Sequence, residues 1–422
     1  MNAQTVTPPP QARRPRWSSR IVVAVALAAI AVATLTPDAG PPSDPSFGCI
    51  FCGERALADV LVNLILFTPL GIGLALLGTR ARRAMLTGAL LSALLELAQL
   101  VIPGRDPSMG DILVNTAGTW AGIALVWLAR ELASLDDRAS ARLSVAAGLD
   151  VALAVLVTGW LLQPSFPRTA YWGQWTPSLG HLEWYRGRVH SARIEGVEVR
   201  SRRTEDSEWT RQALLRGAPV DVDFVAGPRV TGLASLFSVY DEHRQEIFLI
   251  GPDRDDLVLR FRTRASAWRL DQPDLRAVGA WHDVRPGASY ALSAWSPSPG
   301  EWCVDGPAGR FCGLGFTLGA GWGILFYAEW FPAWLRWLLA VGWTAALLLP
   351  TGFLLRRRWE SAAAVLIIIA ALGSLPSIVA LRPTRGIEWA GAAFGLVVGA
   401  IGARLLRGSP ALKRGLGQGT AS

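Results

Sequence analysis

LLELAQLVIPGRDPSMGDILVNTAG, residues Leu94 to Gly118, decides how the chain is read. Leucine-rich sequence precedes it and Trp- and Val-rich sequence follows it. A segment this apolar belongs in a bilayer, yet it carries Glu96, Gln99, Arg105, Asp106, Asp111 and Asn115. Ionisable groups inside a membrane span are costly, so they turn toward protein or a water-filled cavity.

The spacing suggests how they do so. Glu96 and Gln99 are three residues apart, on one face of a helix. Asp111 and Asn115 are four apart at the start of the next apolar run, and Asp59 and Asn63 repeat that pattern one run earlier. Asp59 and Asp111 would sit at helix N-termini, where a carboxylate accepts free backbone N–H groups and meets the positive end of the dipole. Arg105 and Asp106 fall in the short turn between the helices. Short connections make the three helices neighbours, so six to eight polar groups are expected at one depth.

Working outward, half of the 422 residues are hydrophobic, and they are bunched. A run of about 20 apolar residues crosses the hydrocarbon core as a helix. Eight such runs are expected, near 21–36, 59–77, 84–102, 111–129, 145–163, 333–354, 361–381 and 387–405. The first follows a basic flank and is read as an uncleaved anchor, because further spans follow. Arginines cluster before the first run (Arg13, Arg14, Arg16, Arg20), after the second (Arg80, Arg82, Arg83), after the sixth (Arg356, Arg357, Arg358) and after the eighth (Arg404, Arg407, with Lys413 and Arg414). Positive residues mark cytoplasmic loops. Single crossings put all four clusters on the cytoplasmic side of an inner membrane, with both termini inside and the 164–332 segment outside.

The net charge of +8 needs no nucleic-acid partner. The 164–332 segment carries 19 arginines against 20 acidic residues, so the excess lies in the membrane part, where it sets topology and meets anionic lipid. Four cysteines, Cys49, Cys52, Cys303 and Cys312, all fall on the expected outer side, where disulfides persist. Cys303 and Cys312 fit a local hairpin disulfide. Cys49 and Cys52 form a C-x-x-C without a second such pair or a nearby His, which favours a disulfide over zinc.

The outer segment is built differently. PVDVDFVAG, EIFLIGP, DDLVLRFRT, SYALSAWS and GEWCVDG are short, β-branched or aromatic, and divided by Gly, Pro and Asp turns. That pattern predicts an all-β sandwich. The expected organisation is a disordered tail (1–20), a four-helix membrane domain (21–130), a cytoplasmic loop and fifth helix (131–163), a β-sandwich (164–314), an interfacial segment (315–332), three membrane helices (333–405) and a disordered tail (406–422). Trp322, Tyr327 and Trp330 suit the headgroup belt of the interfacial segment. The fold class is thus an integral membrane α-helical bundle with an inserted all-β jelly-roll or sandwich domain. Gly118 and Gly122 form a small-xxx-small face for close helix packing.

ADVLVNLILFTPLGIGLAL, LLELAQL and GRDPSMGDILVNTAGTWAG together resemble the VanZ-like membrane proteins. The matching positions are Asp59, Asn63, Phe67, Pro69, Leu70, Gly71, Glu96, Gln99, Arg105, Asp106, Asp111, Asn115, Thr116 and Gly118, and the likeness covers roughly residues 20–130. LFSVYD, DDLVLRFRT and WCVDG more weakly resemble the concanavalin A/LamG-like jelly rolls fused to VanZ domains. The resemblance implies a bacterial envelope protein and a link to low-level glycopeptide (teicoplanin-type) resistance. The outer domain and three extra helices depart from the small family form.

Three readings of the cluster Asp59, Asn63, Glu96, Gln99, Arg105, Asp106, Asp111 and Asn115 stand side by side. It is a structural polar knot; or it binds a polar or lipid-linked envelope ligand, with Arg105 pairing a phosphate; or it serves a hydrolase or transferase of lipid-linked intermediates, with Glu96 as acid or base. No His, serine nucleophile motif or metal-ligand set accompanies it, so binding is favoured over catalysis, and no cofactor or metal is implied. A transporter component is disfavoured, since the chain has no G-x-x-x-x-G-K-[ST] motif. In the outer domain, His181, His190, His243 and His282 are too scattered for a metal site. Trp172, Trp175, Trp184, Trp209, Trp268, Trp281 and Trp295 are expected in the core or at the membrane, with sugar stacking as the alternative. The acidic DRDDL turn is read as solvated rather than calcium-binding. The expected partners are membrane lipid or a lipid-linked envelope precursor, and an envelope glycan.

Overall fold

The computed structural model describes residues 16–37, 48, 50–51, 53–105, 107–178, 182–326 and 331–408. Cys49, Cys52, Asp106, His181, Tyr327 and Trp330, with residues 1–15 and 409–422 of the expected tails, lie outside the described residues; Arg16–Arg20 belong to the first helix and Leu406–Arg407 to the last. The chain divides into two compact units, residues 1–52 with 59–130, and residues 53–58 with 131–422.

The first unit contains α1 (Arg16–Leu35), most of α2 (Ala56–Leu76), α3 (Ala81–Gln99) and most of α4 (Met109–Ser134). Ala26 and Ile30 of α1, Phe67 and Leu70 of α2, and Leu95 of α3 make its core. Glycines set the closest approaches. A Cβ on Gly118 would meet the Leu64 backbone, and one on Gly122 would meet the backbone of Ile72 and Gly71. The outer surfaces stay apolar: on α3, Leu86, Leu90, Leu94 and Leu97 are all exposed. Without a hydrophobic drive between helices in lipid, small residues and polar contacts carry the association.

Seven helices among the described residues are long and apolar enough to cross a membrane: α1, α2, α4, α5 (Asp137–Leu161), α8 (Ala333–Leu354), α9 (Trp359–Ile378) and α10 (Gly386–Arg407). The expectation of eight is corrected at α3. That helix carries Arg82, Arg83 and Glu96, and its buried face is small and polar, with Gly88, Ser92, Glu96 and Gln99 beside Ala84 and Leu95.

In the second unit, α5, α8, α9 and α10 alternate in direction. The start of α5 meets the end of α8, where Asp137 lies 3.3 Å from Arg356 and Ser140 donates to the Leu354 carbonyl at 3.0 Å. Gly391, Gly395 and Gly399 of α10 lie against α8, where a Cβ would strike the backbone at Val341, Ala345 and Leu349.

Two antiparallel sheets fill most of residues 171–314, with two short helices, α6 (Ser207–Leu215) and α7 (Arg264–Ala267), between their strands. One has five strands, in the order β1 (Tyr171–Trp175), β5 (Phe237–Asp241), β6 (Glu246–Asp253), β7 (Asp256–Phe261), β8 (Leu275–Ala277). The other has six, in the order β11 (Gly309–Leu314), β10 (Glu301–Gly306), β9 (Ser289–Ser298), β4 (Val220–Val225), β2 (Arg188–Ile194), β3 (Val197–Glu198). Alternation places Val220, Val222 and Phe224 of β4 inside. Trp302 of β10 stacks on Phe261 of β7 at 5.4 Å, joining the two sheets. Cys303 and Cys312 form a disulfide across the β10–β11 hairpin. The DRDDL turn is not solvated throughout: Asp253 is buried and pairs with Arg276 at 2.6 Å, and Asp256 accepts the Gly279 N–H at 3.0 Å. The Arg276 guanidinium offsets part of the desolvation cost of the buried carboxylate. The expected interfacial segment contains a 3₁₀ helix, Leu318–Ile324. It is tied to α10 by Glu388, whose side chain is buried and accepts from Thr317 Oγ1 and the Gly319 N–H.

Candidate functional site

The polar residues of the first unit gather where α1 and α3 end and α2 and α4 begin. The rungs between α3 and α4 run in order. Gly88 faces Thr119, Ser92 Oγ accepts from Asn115 Nδ2 at 2.9 Å, and Glu96 Oε2 accepts the Ser108 N–H at 2.8 Å. Each step along α3 is four residues, so one face of that helix supplies all three groups. Ser108 in turn caps α4, accepting the Gly110 N–H at 3.0 Å. Glu96 therefore reaches α4 just before its first turn, where N–H groups lack helical partners.

Across the other seam, Asn63 Nδ2 of α2 donates to Asp111 Oδ1 of α4 at 2.8 Å. Asp59 is exposed one turn before Asn63, near enough for its charge to act on Asp111, and Asp111 likewise acts on Glu96. Gln99 and Arg105 belong to a third contact. Gln99 donates to the Thr34 carbonyl at 3.1 Å, and Arg105 to the carbonyls of Thr36 and Ala33 at 2.9 and 2.8 Å. Ala33 and Thr34 lie in the last turn of α1, where carbonyls have no helical donor, and Thr36 lies just past its end.

The structure thus brings Asn63, Glu96, Gln99, Arg105, Asp111 and Asn115 to one end of the bundle, with Asp59 beside them. Ser92, Ser108 and Thr119 belong to the same arrangement and were not singled out in the sequence. Ser92 sits four residues before Glu96 on the same helix face, and that spacing was the available signal.

One turn beyond Asn63, α2 and α4 enclose an apolar groove of about 650 Å³. Leu64, Ile65, Thr68 and Pro69 form one wall, and Trp120, Ala121, Ala124 and Trp127 the other. Trp120 and Trp127 are more than half exposed, so the groove opens outward. Pro69 helps to shape it, since an internal proline cannot donate to the preceding turn.

Residues 14–130 match the VanZ/LLP1 family. This unit is VanZ-like. The match ends at residue 130, so the two sheets and the last three helices lie beyond the VanZ-like part. No curated protein and no solved structure matches the chain significantly. Together with the seven apolar helices, the match makes this a multi-pass membrane protein with a VanZ-like N-terminal unit.

The tryptophans of the second unit divide between core and surface. Trp281 is buried against Phe224 at 5.4 Å, and Trp175 Nε1 donates to the Val199 carbonyl at 2.9 Å. Trp184 and Trp268 are more than half exposed, and Trp268 meets the edge of Trp160 at the end of α5.

Proposed function

We propose that the VanZ-like unit binds an amphiphilic, lipid-linked envelope ligand, with its tail in the α2–α4 groove and its head at the polar end. The observation that carries this is the adjacency of groove and polar end along one seam. Leu64, at the mouth of the groove, directly follows Asn63, which bonds to Asp111. An apolar channel open to the bilayer beneath a cluster of polar groups suits a molecule with the same division. Arg105 plays a different part from phosphate pairing, since its guanidinium is engaged with α1.

The rest of the chain fits an envelope setting. With the arginine clusters on the cytoplasmic side of an inner membrane, and α3 crossing antiparallel to α4 with its polar face covered by that helix, both termini are inside and the sheets outside. The sheets then form a concanavalin A/LamG-like jelly roll that engages envelope glycan, and the exposed Trp184 offers an aromatic face to a sugar ring. A link to teicoplanin-type resistance follows only if the bound ligand is a wall precursor.

Native mass spectrometry of the full chain extracted in mild detergent tests the groove. Wild type should retain a lipid-sized adduct, and Ala124→Trp, which fills the groove, should lose it while keeping its unfolding temperature. A wild type without adduct, or an adduct indifferent to Ala124→Trp, overturns the proposal.

A further inference from the structure

The polar end of the VanZ-like unit gathers acceptors. Glu96 is buried and Asp111 is half-buried; each accepts one hydrogen bond, from Ser108 and Asn63, and neither makes a salt bridge to a described residue. Two carboxylates whose charges act on each other in a low-dielectric setting call for a positive partner. The guanidinium in this region, that of Arg105, is directed at the carbonyls of α1.

Asn115 provides a second, independent observation. It lies four residues after Asp111 on the same helix face and is 3% exposed. Its Nδ2 is held by Ser92, four residues before Glu96, and its Oδ1 has no partner. A buried amide oxygen without a donor costs about 1–3 kcal/mol. Glu96 and Asp111 thus bring two carboxylates to the start of α4, and Asn115, one turn along that helix from Asp111, adds a buried amide oxygen without a partner. A primary ammonium, a point charge with three donors and no acceptor, complements that set.

We infer that Glu96, Asp111 and Asn115 form a site for a protonated primary amine on the head of the amphiphile. The placement of the tail rests on the α2–α4 reading above; the choice of head rests on these three residues. A phosphate alone would meet two carboxylates and is disfavoured on charge.

The full chain in detergent, incubated with equal amounts of phosphatidylethanolamine and phosphatidylglycerol, tests this by native mass spectrometry. The ethanolamine lipid should be retained about tenfold over the glycerol lipid, the effect of one charged hydrogen bond. The double variant Glu96→Gln, Asp111→Asn should bind both equally. Wild type also answers without any variant: dodecylamine should displace the retained lipid and dodecyl phosphate should not. Equal retention of the two lipids, or displacement by dodecyl phosphate, overturns the amine site and leaves the groove reading standing. No retention of either lipid overturns both, and retention unchanged in Ala124→Trp overturns the groove reading alone.

Discussion

The guanidinium of Arg105 donates through Nε to the Thr36 carbonyl at 2.9 Å, 69 residues earlier in the chain. Its Nη2 reaches the Ala33 carbonyl at 2.8 Å, so one side chain closes the end of α1. A cation at a helix C-terminus also meets the negative end of the dipole.

Arg105→Ala should therefore loosen α1 from the unit. The expected cost is about 1–3 kcal/mol, for two charge-assisted hydrogen bonds that water partly replaces. Arg105→Lys should recover only part, because an ammonium cannot span both carbonyls with a rigid fork. Thermal unfolding in detergent measures this. An alanine variant as stable as wild type would show that α1 is held by its apolar contacts alone.

Gly122 makes a sharper prediction. Its missing Cβ leaves room for the backbone of α2 at Ile72 and Gly71, so Gly122→Val cannot fit without parting the helices. The expected loss exceeds about 3 kcal/mol, the upper end of ordinary overpacking. The variant should be poorly recovered as a monodisperse species by size exclusion. Gly373→Ala is the control, because nothing lies near that position in α9.

Much of this architecture was legible in the sequence. The apolar runs marked seven spanning helices, alternation marked strands such as β4, and four-residue spacing marked Gly118 with Gly122 and Asp111 with Asn115. What could not be read was the partner. Nothing local to Arg105 says that it will cap α1, since both carbonyls lie some 70 residues away and backbone groups leave no trace in side-chain pattern. Glu96 stood open to three readings in the sequence, and its bond from the Ser108 N–H at the start of α4 could not be read there. The ladder Gly391, Gly395 and Gly399 was readable by period but had no polar neighbour to draw notice. Composition misread the character of α3, where leucines exposed on one face conceal a small, polar opposite face.

Glu388 anchors the 3₁₀ helix to α10 and should be hard to replace. It is 2% exposed, and its carboxylate accepts the N–H groups of Gly319 and Arg385, each at 3.0 Å, besides the Thr317 hydroxyl. Glu388→Ala strands three donors and should cost about 3 kcal/mol or more. Limited proteolysis should then cut between Phe316 and Leu325 well before wild type is nicked. Unchanged protection would mean the segment is held by its apolar side chains.

Acid should weaken the two sheets before it affects the helices. Hydrogen bonds from Arg211 and Gln212 hold the Glu208 carboxyl at about 2, against an ordinary 4.5. The Ser191 hydroxyl lowers Asp223 most; burial opposes it, and Arg193 adds to the lowering. Burial works to raise Glu183 and Asp274, but it is outweighed by donors at Gly232 and Thr231 in the first and by Arg260 and Arg276 in the second. Each of the four has a folded-state pKa below its unfolded value. Each therefore adds stability above the unfolded pKa, and that stability is lost as pH falls through the folded one. Asp271 has the opposite sign, since burial raises it despite Arg55, and protonation relieves that cost. Four against one leaves a net loss from about pH 4.5 down toward 2. Tryptophan fluorescence during heating at pH 7 and pH 3 should show a lower midpoint in acid. Asp274→Asn should lower the neutral midpoint and narrow that gap, because the carboxylate it removes already counts as lost in acid. A midpoint independent of pH over this range would mean that these ion pairs contribute nothing net to the stability of the sheets.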